Sequence, residues 1–132
     1  MSEPRRSEVE PGAQMVALVG PTGVGKTALA VSIAPSLDVE IISVDSMQVY
    51  RGMDIGTSKP TPLERSQVPF HMLDVVDPVT DFSVAQFKRL ADDALADILG
   101  RGKLPMLVGG SGLYYRAVVD DLDFYNVGVA DD

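Results

Sequence analysis

Eight consecutive residues, Gly20-Pro21-Thr22-Gly23-Val24-Gly25-Lys26-Thr27, satisfy the pattern G-x-x-x-x-G-K-[ST]. The chemistry open to such a stretch is phosphate binding. Its glycines let the backbone curl so that N–H groups turn inward onto phosphate oxygens. Lys26 supplies a point charge, and Thr27 offers its hydroxyl to a bound magnesium ion. A helix starting behind the turn adds the positive end of its dipole. The pattern specifies a phosphate or diphosphate and leaves the reaction open.

A second constellation begins at Asp45 and runs through Ser46, Met47, Gln48, Val49, Tyr50 and Arg51 to Lys59 and Pro60. Asp45 ends an apolar run, where a parallel sheet places its ligands. It reads either as the cap of the segment behind it or as a general base or metal-water ligand beside the phosphate site. Residues 51–62 are rich in Gly, Thr, Ser and Pro and are expected to form an ordered loop. Arg51 and Lys59 read equally as solvated charges or as phosphate contacts. Gly109-Gly110-Ser111-Gly112 is a tight turn that also allows a ligand close to the backbone. Asp74 and Asp77 are weak candidates for the metal-holding acid that often accompanies a phosphate-binding turn. His71 reads as a packed or capping residue, and at least one of Tyr114 and Tyr115 as a core residue rather than a base-stacking one.

Elements must hold these residues in place. Residues 15–19 form a short continuous apolar run, as in a strand buried on both faces. Lys26 to Leu37 suits a helix, with Ala28, Leu29, Ala30 and Ile33 as its apolar residues. Further strands are expected at 39–44, 70–76 and 104–108. Residues 83–101 form the clearest helix. Ser83 and Gln86 make a capping box, apolar residues recur from Val84 to Leu99 at helical spacing, and Gly102 stops it. A last helix is expected at 113–119. Strands alternating with helices mean an α/β fold with a mainly parallel sheet and right-handed crossovers.

Composition bounds the rest. The chain has 132 residues, 45% hydrophobic and 23% charged, which fits one ordinary globular domain. It has no cysteine and one histidine, which excludes a disulfide scaffold, a cysteine nucleophile and a multi-histidine metal site. No apolar run approaches the ~20 residues that span a bilayer. No membrane partner is expected, and the expected compartment is the cytoplasm. The formal charge is −8, unevenly distributed. Eleven basic residues face fourteen acids before position 117, and five acids with no base follow it. A net acidic chain of this kind binds a polyanion only through a local basic surface.

Residues 15–123 together resemble the tRNA dimethylallyltransferases, also called tRNA isopentenyltransferases. The resemblance rests on the phosphate-binding turn, on residues 43–60, on Phe70-His71-Met72-Leu73-Asp74 and on residues 107–114. It implies a P-loop NTPase-like, kinase-like parallel sheet flanked by helices. It also implies transfer of a dimethylallyl group from dimethylallyl diphosphate to the exocyclic amine of the adenine beside the anticodon of tRNA, with Mg2+ at the diphosphate. By the resemblance Asp45 is the general base, and Thr27 lies near the bridging oxygen of the diphosphate. Lys26 and the turn stabilise the leaving group, and Asp45, Ser46, Met47, Gln48 and Ser111 contact the tRNA anticodon stem-loop.

Two departures accompany the resemblance. Phe70-His71-Met72 stands where the family has His-His-Leu, so the role of the first histidine does not carry over. Residues 125–132 do not resemble the family's continuation into a helical, tRNA-gripping part. The expected organisation is a disordered arm at 1–13, a catalytic core at 14–124 and a divergent tail at 125–132, the whole being a truncated member. A monomer is expected of the full-length family. A dimer is open to a fragment whose sheet edge lacks its cover. The competing readings are a P-loop phosphotransferase acting on a small metabolite and a diphosphate-binding fragment without catalysis.

Overall fold

A computed structural model describes residues 15–20, 25–52, 59–110 and 112–119. The expected arm and tail lie outside these residues, as do residues 21–24, 53–58 and Ser111. Four strands, β1 (Val16–Val19), β2 (Val39–Ser43), β3 (Phe70–His71) and β4 (Leu104–Gly109), form one sheet. Its order is β1-β4-β2-β3, with every pairing parallel. The helices are α1 (Lys26–Leu37), α2 (Pro62–Gln67), α3 (Val84–Gly100) and α4 (Leu113–Val119). The expected α/β fold is the one found.

The strands are short apolar runs because both faces of the sheet are covered. On one face Leu18, Ile41, Met106 and Val108 pack against Ala30 and Ala34 of α1. On the other, Ala17, Ile42 and Leu107 meet Phe87, Ala91, Leu95 and Ile98 of α3 and Val118 of α4. Phe87 is fully buried, which is worth roughly 2–3 kcal/mol by transfer. Pro105 is tolerated within central β4 because of the pleat. Leu104 donates to the Asp38 carbonyl on the β2 side, so the donor that Pro105 lacks would face β1, just before the first paired position, Val16 opposite Met106.

The expected helix at Lys26–Leu37 is present. In α1, Ala28 and Leu29 are exposed, and Ile33 is only half-buried. The inward residues are Ala30 and Ala34. This helix is apolar all round, so periodicity does not choose its face, and small residues let it lie close to the sheet. The strand expected at 70–76 ends at His71. Met72 and Asp74 adopt positive φ (69° and 56°) and break it, and the chain rejoins only through an isolated bridge between Tyr50 and Val76. Helix α2 starts inside the stretch expected as loop. Thr61 caps it with Glu64 in a full capping box, and Pro62 stands at its start. The expected capping box of α3 is present on both sides: Gln86 N–H donates to Ser83 Oγ at 3.1 Å, and Ser83 N–H to Gln86 Oε1 at 2.7 Å.

The carboxyl ends of β1, β4 and β2 meet at one edge. Gly20 N–H donates to the Gly109 carbonyl (3.1 Å) and Val44 N–H to the Val108 carbonyl (3.0 Å). A Cβ on Gly109 would sit 2.9 Å from Val44 Cγ2 and 3.2 Å from its carbonyl carbon. Glycine is therefore what lets the ends of β2 and β4 approach here.

Candidate phosphate and acceptor site

Gly20 leaves β1 buried, and Gly25 caps α1 with φ of 75°, a left-handed conformation that glycine adopts without steric cost. Lys26 and Thr27 are the first two residues of α1 and are half-buried. No acidic side chain occupies the first turn, and no side chain caps it. The positive end of a 12-residue helix therefore lacks a side-chain cap among the described residues. Burial lowers the pKa of Lys26, and the carboxylate of Asp45 opposes that shift. The lysine of the phosphate-binding turn and the acid at the end of β2 therefore share one electrostatic site. Pro21, Thr22, Gly23 and Val24 lie outside the described residues.

Asp45 is half-buried and plays a local structural part. Its Oδ1 accepts from Met47 N–H (2.7 Å) and Gln48 N–H (3.1 Å), so it caps the turn at 46–49. Its Oδ2 makes no hydrogen bond among the described residues. The side chain is oriented through one oxygen. Ser46 and Met47 are exposed beside it, whereas Gln48 is buried, with its Oε1 accepting from Ser43 Oγ at 2.9 Å. Ser43 carries no motif of its own that marks it in the sequence. It is one of two small polar residues at the end of an apolar strand, and its burial under the turn depends on register. Ser111 lies outside the described residues, between the half-buried Gly110 and the exposed Gly112 at the foot of α4.

Lys59 is not a solvated charge. Its Nζ donates to Asp74 Oδ1 (2.5 Å) and to the Tyr50 carbonyl (2.7 Å), with 6% of its side chain exposed. Arg65 of α2 holds the other oxygen of Asp74 at 2.9 Å. Burial pushes the Asp74 carboxyl up, but the hydrogen bonds from Lys59 and Arg65 together outweigh it and leave its pKa below the ordinary value. Asp74 N–H also donates to the Gln48 carbonyl (3.1 Å) and so ties this cluster to the turn behind Asp45. Arg51 is exposed.

His71 pairs with Ile42 of β2, and its side chain reaches back to Glu40 near the start of that strand. Its Nε2 lies 2.7 Å from Glu40 Oε1, and Arg101 clamps the same carboxylate through Nε (3.0 Å) and Nη2 (2.6 Å). Both tyrosines of α4 serve packing. Tyr115 is buried, and the Tyr114 ring lies 4.0 Å from that of Phe87.

Among the described residues no group of three or more His, Asp or Glu side chains could hold a metal. The donors present near Lys26 are the Thr27 hydroxyl and the Asp45 carboxylate. That set suits a hard cation that arrives on a diphosphate and keeps most of its ligands from phosphate and water.

A parallel sheet with a lysine and a hydroxyl at the start of a helix, and an acid two strands away at the same sheet edge, places the chain among α/β proteins with a P-loop-like fold. Residues 48–131 match the family model described as IPP transferase, and residues 13–74 match one described as isopentenyl transferase. The chain belongs to the IPP transferase family. It is similar to the tRNA dimethylallyltransferase of a Roseiflexus species (strain RS-1), at 59% identity over 80% of this chain and 34% of that protein. Among solved structures it is similar to the full-length tRNA isopentenylpyrophosphate transferase of Bacillus halodurans, with TM-score 0.77 and 54% identity over 83% of this chain and 36% of that one. It is also similar to a eukaryotic dimethylallyltransferase captured acting on tRNA, with TM-score 0.75 and 35% identity over 80% of this chain and 26% of that one. The chain spans about a third of the length of the curated relatives it matches.

Proposed function

We propose that this chain carries the catalytic core of a tRNA prenyl transfer, moving a dimethylallyl group from dimethylallyl diphosphate to the exocyclic amine of the adenine beside the anticodon. One observation carries the reading: Lys26, at the helix start that receives phosphate, is electrostatically coupled to Asp45, whose Oδ2 makes no hydrogen bond among the described residues. A kinase-like site needs the same cation. A phosphotransferase would also use a carboxylate base on its acceptor, so it is the match to the IPP transferase family model that favours an amine acceptor here.

The chemistry follows from the acceptor. An adenine amine is a poor nucleophile because its lone pair is delocalised into the ring. The allylic carbon–oxygen bond breaks as the nitrogen–carbon bond forms, and diphosphate departs with the bonding electrons. The turn's N–H groups, the α1 dipole and Lys26 stabilise the charge that develops on that oxygen. Asp45 takes the amine proton on Oδ2, while Oδ1 keeps the carboxylate aimed. Thr27 is the residue that would hold Mg2+, which when bound supplies further charge neutralisation at the diphosphate. Ser46 and Met47 line the place where an extruded adenine would sit, and extrusion costs a few kcal/mol that the pocket must offset. Gln48 acts from beneath by fixing the turn, and Ser111 contacts the tRNA. The core extends over residues 14–124, and its partners are the allylic diphosphate and the tRNA anticodon stem-loop. No helix among the described residues is long and apolar enough to cross a membrane.

The direct test is single-turnover prenylation of an anticodon stem-loop, run beside an ATP hydrolysis assay. The expected result is a prenylated adenine without ATP turnover. ATP turnover without prenylation would identify a phosphotransferase. Diphosphate binding without either reaction would identify a binding fragment. Both results contradict the proposal.

A further inference from the structure

Beside the turn behind Asp45 lies an open depression lined by Arg51, Gly52, Lys59, Pro60, Pro62, Arg65 and Asp74. None of its lining residues belongs to the phosphate-binding turn. Three cations face one carboxylate in a chain whose formal charge is −8. The three arrive from separate places: the end of the Asp45 turn, the start of the segment before α2, and α2 itself. Their positions are fixed. Arg51 N–H donates to the Val76 carbonyl (2.9 Å), and Gly52 turns the chain with φ of 75°. Lys59 is anchored in the floor by Asp74 and the Tyr50 carbonyl.

What the cations have left to offer differs. Arg65 spends Nε on the Pro60 carbonyl (3.3 Å) and Nη1 on Asp74, while its Nη2 makes no hydrogen bond among the described residues. The guanidinium of Arg51 makes none there either. Asp74 thus holds two cations in place without neutralising all three, and two forked donors remain at an open rim. Forked guanidiniums at a shallow, open rim suit a phosphate group on an extended strand. An enclosed cradle, as at the helix start of α1, suits a terminal diphosphate.

The geometry points to a second phosphate site, in which Arg51 and Arg65 grip a phosphodiester of the RNA strand whose base enters the Asp45 pocket. This rests on the RNA-modifying reading above. The link is short, because Asp74, the residue that organises the depression, also donates its N–H to the Gln48 carbonyl. A strand held at the depression is thereby placed in register with the turn that carries Asp45. These contacts position the RNA and carry no base specificity.

The test measures binding of the full chain to an anticodon stem-loop over a range of salt concentrations. The variants are Arg51→Gln, Arg65→Gln and, as a control for simple charge loss, Arg89→Gln on the exposed side of α3. Each rim variant should weaken RNA binding about fivefold and lower the salt slope by about 0.7–1. Arg89→Gln should change affinity less than about twofold, and inorganic diphosphate binding should be unchanged in all three. Arg51 has no side-chain partner among the described residues, so its variant keeps the test valid if Arg65→Gln loosens α2. Unchanged RNA affinity and salt slope in the rim variants would overturn the inference while leaving prenyl transfer untouched. Weakened diphosphate binding with normal RNA binding would reassign the rim to the small substrate and equally overturn it. An absence of RNA binding by the parent chain at low salt would overturn it together with the RNA reading.

Discussion

At the scale of single residues, Asp45 has two separable duties. Its Oδ1 caps a turn and its Oδ2 serves the reaction, so two substitutions should divide them. Asp45→Asn keeps an acceptor for Met47 and Gln48 N–H and should melt within a degree or two of the parent. Asp45→Ala removes the cap and should lose about 1 kcal/mol, read by urea unfolding. Both should abolish transfer. Glu40 shows the other use of a carboxylate in this molecule. Hydrogen bonds from Arg101, working against burial and aided by His71, hold its pKa at about 2, well below the usual carboxylate range. A depressed carboxylate pKa stabilises the fold above its unfolded value and loses that contribution as pH falls toward the folded one. Stability should therefore drop between about pH 4.5 and 2 by roughly 2–3 kcal/mol. Urea midpoints of Glu40→Gln measured across that window should lack this component. The Asp45 turn, the lysine and the threonine could be located from residue types alone. The Glu40 clamp could not, because Arg101 and His71 are 61 and 31 residues away from it in sequence.

At the scale of elements, local chemistry was legible wherever a segment stops itself. The ends of α3 follow from Ser83, Gln86 and Gly102, and Ser83→Ala should cost about 1 kcal/mol in a thermal or urea melt. The same signal, Thr61 with Glu64 and Pro62, marks α2. It was obscured by the Gly, Thr, Ser and Pro content around it, and none of the six residues of α2 is buried to give a periodic stripe. The strand expected at 70–76 failed for a different reason. The positive φ at Met72 and Asp74 serves the Lys59–Asp74–Arg65 cluster, a tertiary arrangement that local β-propensity does not report. Gly109 tests the convergence of β2 and β4. Gly109→Ala drives a Cβ against Val44 and should destabilise the chain by about 1–3 kcal/mol, with the midpoint shift measured by calorimetry.

At the scale of the whole molecule, the sheet order places β1 and β2 on either side of β4, so Gly20 at the end of β1 and Asp45 beyond the end of β2 flank the glycine end of that strand. Alternating strands and helices revealed the layer architecture, but not the order of the strands, which is set by long-range pairing. The charge of −8 is a poor guide to partners here, because the basic groups that matter are gathered in one depression around Asp74. The central claim is that this edge joins leaving-group stabilisation to proton removal from an amine. Single-turnover transfer to an anticodon stem-loop tests it most directly, comparing the parent with Asp45→Asn while dimethylallyl diphosphate binding is measured on the same samples. Binding should agree within about twofold, and transfer should fall by about 100-fold or more. Transfer by Asp45→Asn at near the parental rate would contradict the account.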